Sequence, residues 1–253
     1  MRYRSSRVGV SAPITRPVFW VMLSMVAWEL FQGLRIGSAV PTGSWPLSAV
    51  DAIFLLLLPA LCAFAFVRLF LVLTQSARGT MNVYASLSSP WAWVFWIGIS
   101  LAMLGQGAHL AGYAIRRQLD PDIVMGTFAA QIKFMDISFG YAVLGLGFFL
   151  VTTATLFLGH GAAQRLAGLE RVLFVLGSVA TFGALGVIIG VGAHQYIPTI
   201  GATAALTVAG FLMVPPSEIT YDPIAAFIVP GSALSCLIVL IWTLVVGGQP
   251  TFG

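Results

Sequence analysis

Charge is what this sequence has least of. Only 8% of its 253 residues are Asp, Glu, Lys or Arg, against 59% hydrophobic, whereas soluble domains carry roughly 25% charged residues. A water-soluble fold would have too little polar surface to cover itself, so the composition excludes one. The apolar stretches do not alternate with polar residues as the strands of about 10 residues in a membrane β-barrel do, so a barrel is excluded as well. The net charge of +4 is small and mostly N-terminal, which gives nucleic acid nothing to bind.

Other absences narrow the chemistry. There are two cysteines, Cys62 and Cys236, both inside apolar stretches, where a thiol behaves as a small core hydrophobe. No H-E-x-x-H, no phosphate-binding G-x-x-x-x-G-K-[S/T] loop and no G-x-S-x-G elbow occurs, so zincin, P-loop and serine-elbow chemistry lack their motifs. The single lysine, Lys133, opens a span. A retinal Schiff base in a seventh helix therefore has no lysine to form on.

What is present is a series of apolar runs, each long enough for a bilayer, which takes about 20 residues. We read an all-α, polytopic membrane bundle of one domain over 1–253. Its seven spans fall near 17–37, 48–75, 90–114, 127–158, 170–192, 196–215 and 224–247, and the first is expected to be a retained helix. Pro17, Pro46 and Pro90 fall in first helical turns, where a missing N–H costs little. Asp120-Pro121 reads as an N-cap followed by proline. The seven tryptophans lie mostly near span ends, as in an aromatic belt. Arg2, Arg4, Arg7, Arg16, Arg78, Arg165 and Arg171 fall on one side of this topology and only Arg116 and Arg117 in a loop on the other. By the positive-inside rule the N-terminal tail (1–16) is cytoplasmic and the C-terminus outside. The expected setting is a bacterial plasma (inner) membrane.

Ionisable residues inside apolar spans are costly and mark functional sites. Glu29, Asp51, His109, Lys133, Asp136 and His194 all fall toward the outer ends of their spans in this topology. Lys133 and Asp136, spaced i, i+3, share a helix face. Gly105, Ala108 and Gly112 narrow the surface around His109 so that another helix can approach closely, and separately the Gly183, Gly186, Gly190 stripe in the fifth span and Gly140 and Gly147 in the fourth are spaced for close helix packing. His109, His160, His194 and Asp136 offer the residue types used by the seven-helix membrane hydrolases related to alkaline ceramidases and progestin or adiponectin receptors. That family's local spacings are not matched, and His160 falls at the opposite end.

Three functions fit. In the first, His109, His194, Asp136 and Glu29 form an outer-side site that holds a divalent transition metal (Zn, Fe or Cu), for which two imidazoles and carboxylates suffice, or that acts on a lipid-soluble substrate. In the second, the chain is a non-catalytic subunit of a larger membrane complex, packing helices, pigments or lipids. In the third, Glu29, Asp136 and His109 relay protons or a small solute, with Pro59 and Pro230 supplying broken helices.

Overall fold

The computed structural model describes residues 14–34, 53–78, 89–118, 127–160 and 164–246. Among these residues the chain forms seven unbroken helices and no strand: α1 (Thr15–Leu34), α2 (53–78), α3 (Pro90–Gln118), α4 (127–159), α5 (Gly168–Gly192), α6 (Tyr196–Met213) and α7 (Pro223–Val246). The helices α2 to α7 are long and apolar enough to cross a membrane. The fold is thus an all-α polytopic membrane protein. Helix α1, whose last side chains lie outside the described set, occupies the first expected span. Arg16, expected in the tail, belongs to α1. Residues 1–13 of that tail, Asp51, the Asp120-Pro121 cap, Asp122 and the side chains of Arg116 and Arg117 lie outside the described residues.

Helix ends are tied down by particular side chains. Asp222 Oδ1 accepts the backbone N–H groups of Ile224 and Ala225 at 2.9 and 2.8 Å, with Pro223 at the first helical position, so α7 starts with an N-cap and proline in their favoured order. At the start of α1, the backbone N–H of Ile14 donates to Gln164 Oε1 at 2.9 Å, which satisfies one of the orphan donors of a helix N-terminus.

Small residues set the spacing between helices. Helices α3 and α4 run antiparallel along a glycine seam. A Cβ added to Gly98 would meet the Val151 backbone, one on Gly105 the Leu144 backbone, and one on Gly112 would lie 2.6 Å from Asp136 Cβ. The two backbones touch because nothing larger stands between them. Gly186 and Gly190 of α5 likewise face Ser235 and Val239 of α7, as the fifth-span stripe leads one to expect, while Gly183 is in loose contact only. Pro230 sits inside α7 without ending it, and the next residue, Gly231, donates its N–H to Ser178 Oγ at 2.8 Å. A neighbouring hydroxyl thus takes up a backbone group at the proline, the usual condition for tolerating one in a membrane helix.

The aromatic belt is only partly a belt. Trp20, Trp93 and Trp242 are exposed, but Trp28 is buried and stacks on Phe148 at 5.6 Å, and Trp96 packs edge-on to Phe70 at 5.7 Å. These two build the core of α1 to α4 instead of a membrane interface.

Candidate functional site

The α3–α4 seam ends at an ion pair. Down α3 the contacts step from Gly98 to Gly105 to Gly112, seven residues each time; on α4 they step from Val151 to Leu144, then to Asp136, seven and then eight. The extra residue is accommodated in a wider, π-helical turn at Phe134–Phe139. Such single-turn insertions concentrate at functional sites because they rotate one side chain out of the α-helical register. Here the rotated residue is Asp136, which faces Gly112 and is fully buried.

His109 meets it there. Its Nδ1 lies 2.7 Å from Asp136 Oδ1 and 3.1 Å from the Asp136 backbone carbonyl oxygen. Two acceptors at one ring nitrogen require a proton on Nδ1, which donates to both. The imidazole, 12% exposed, stands against the ring of Tyr141 at 4.7 Å and that of Tyr113 at 6.5 Å.

Tyr141 also lines a cavity of about 170 Å³ bordered by α4, α5, α6 and α7. Its walls are apolar, among them Phe148, Phe149, Phe182, Leu185, Ile189 and Leu206, and no Asp, Glu, Lys, Arg or His is part of them. Gln195, also in its wall, reaches across to donate to the Ser138 backbone carbonyl at 3.5 Å. The cavity and the His109–Asp136 pair therefore share Tyr141 as a common wall.

Of the four residues expected to form one outer-side metal set, the structure brings His109 and Asp136 together. His194 is exposed, holds a left-handed backbone conformation (φ 57°) between α5 and α6, and places Nδ1 3.1 Å from the Tyr196 hydroxyl. Glu29 is buried in α1, and neither carboxylate oxygen has a hydrogen-bond partner among the described residues. Among the described residues no three His, Cys, Asp or Glu side chains gather closely enough to hold a metal ion. The i, i+3 pairing of Lys133 with Asp136 assumes a regular helix, and the π-helical turn begins just after Lys133; Lys133 is exposed while Asp136 is buried.

Sequence reasoning passed over Tyr141 and the hydroxyls of the cavity. Tyr141 follows Gly140, whose own Cβ would approach the His109 backbone at 3.1 Å, so the small residue beside the histidine was the available signal. No protein family, no curated protein and no solved structure matches the chain.

Proposed function

We propose that this membrane protein binds a lipid-soluble molecule in the α4–α7 cavity and holds it against Tyr141, whose ring backs onto the His109–Asp136 pair. The observation that carries this reading is the shared wall: Tyr141 contacts the His109 ring and lines the cavity. A mostly apolar pocket with a few convergent polar groups is the usual form of a small-molecule site. The Asp136 carboxylate orients the imidazole as in other His–Asp pairs, and the imidazole in turn packs on the Tyr141 ring that faces the bound molecule. In the topology read from the arginines, the pair lies toward the outer side of a bacterial plasma membrane.

Gly145 gives the test. It lines the cavity, and a Cβ there would meet nothing closer than Ile189 at 3.5 Å, so a larger side chain can enter the space without displacing a backbone. Wild-type protein purified in mild detergent is expected to retain about one neutral apolar molecule per chain, detected by solvent extraction and mass spectrometry, and Gly145→Phe is expected to lose it while keeping its melting temperature. Equal retention by both, or bulk phospholipid alone in the wild type, would reject the reading.

A further inference from the structure

Most hydroxyls in these helices are occupied by their own backbone. Thr152, Thr155, Thr203 and Thr207 each donate to the carbonyl four residues back, at 2.6 to 2.8 Å, the habit of Ser and Thr in membrane helices. Ser235, packed against Gly186 outside the cavity lining, departs from it, and so do Thr199 and Ser232. Both are buried, at 7% and 0% exposure, both line the cavity, and neither Oγ has a hydrogen-bond partner among the described residues. A buried hydroxyl without a partner is unfavourable unless something that binds supplies one.

The two hydroxyls stand at different depths. A Cβ on Gly190 would lie 2.8 Å from Val239 Cγ2 and 3.3 Å from Thr199 Cγ2, which puts Thr199 level with Val239. Ser232 precedes Val239 by seven residues on α7, a rise of roughly 10 Å at 1.5 Å per residue. A molecule that satisfies both hydroxyls must therefore carry two hydrogen-bond acceptors set apart along the helix axes. Two carbonyl oxygens on opposite sides of one ring meet that requirement. The walls carry no charge, which excludes carboxylates and phosphates as the bound group.

We propose that the cavity is a site for a para-quinone type ring, a neutral apolar dicarbonyl whose two oxygens accept hydrogen bonds from Thr199 at one end and Ser232 at the other. This rests on the ligand-binding reading above and specifies its ligand class. The pair His109–Asp136 lies beyond Tyr141 from this ring and is not needed for its recognition.

The experiment uses three tricyclic probes of nearly one shape: 9,10-anthraquinone with two carbonyls, anthrone with one, and anthracene with none. Binding to the full chain in nanodiscs is measured by equilibrium dialysis, with empty nanodiscs correcting for partition into lipid. Each carbonyl is expected to tighten binding by about fivefold, the worth of one hydrogen bond. Thr199→Val and Ser232→Ala should each weaken anthraquinone by about fivefold and leave anthracene within twofold. The double variant should bind all three alike. Equal binding of the three probes by the wild type, or an anthraquinone preference that survives in the double variant, would overturn the quinone assignment and leave the cavity as an unselective apolar site. Failure of every probe to bind, with Gly145→Phe behaving as wild type, would overturn the cavity reading itself and the assignment with it.

Discussion

At Asp136 a carboxylate fully withdrawn from solvent is tolerable because His109 Nδ1 stands 2.7 Å away. Breaking a buried pair from one side strands the other charge, so His109→Ala is expected to cost about 3 kcal/mol, read as a lowered melting temperature in mild detergent. Asp136→Asn keeps an acceptor for Nδ1–H and should cost only about 1 kcal/mol; an equal loss in both variants would argue against the pair as the cause. Asp222 is a different case. Burial holds its carboxyl above the usual carboxylate range, against the opposing pull of the Ala225 and Ile224 N–H groups and of His160. A carboxyl raised in the folded state binds its proton more tightly folded than unfolded. Its contribution is therefore full below the ordinary carboxylate pKa and is lost as pH rises through the raised value. Asn caps a helix as well as Asp, so Asp222→Asn should gain on the wild type as pH rises through that window, with melting curves across pH as the check. His109 and Asp136 were legible as site residues because ionisable groups in apolar spans are rare and costly. Thr199 and Ser232 were not, since a helical hydroxyl normally satisfies itself and only its surroundings reveal that it has not.

At the level of elements, the helix limits were legible: the expected 90–114, 170–192 and 196–215 became Pro90–Gln118, Gly168–Gly192 and Tyr196–Met213. Apolar length and the prolines at first turns suffice for that. The π-helical turns in α2, α4 and α5 left no trace in the pattern, because an inserted residue changes register without changing composition. The turn in α4 makes an asymmetric prediction. Deleting Ile137, between Asp136 and Gly140, removes the extra residue and should leave a regular helix that still turns Asp136 to Gly112. Deleting Met135 regularises the helix on the other side of Asp136 and should swing it off the seam, with the stability loss of His109→Ala. Comparable melting temperatures for the two deletions would contradict this account of the register. The α5 stripe makes a simpler one: a side chain on Gly186 collides with Ser235, so Gly186→Leu is expected to abolish folded protein in size-exclusion chromatography, and wild-type yield would mean that α5 and α7 do not touch there.

For the whole molecule, the arginine asymmetry and the seven expected spans together predict a C-terminus on the outer side. A periplasmic-active reporter fused after Gly253 should be active, and a cytoplasmic one silent; the reverse would remove the outer-side placement of His109. Composition alone made the membrane class legible, yet the cavity was hidden, because it is built by α4, α5, α6 and α7 jointly and no one of them carries a motif for it. The pair and the cavity belong to one site only if the molecule in the cavity touches their common wall. The most direct measurement puts p-benzoylphenylalanine in place of Tyr141 and irradiates the protein in native membranes. The expected result is one neutral apolar molecule crosslinked at position 141 and displaced by added 9,10-anthraquinone. Crosslinks to bulk phospholipid alone, or to nothing, would contradict it.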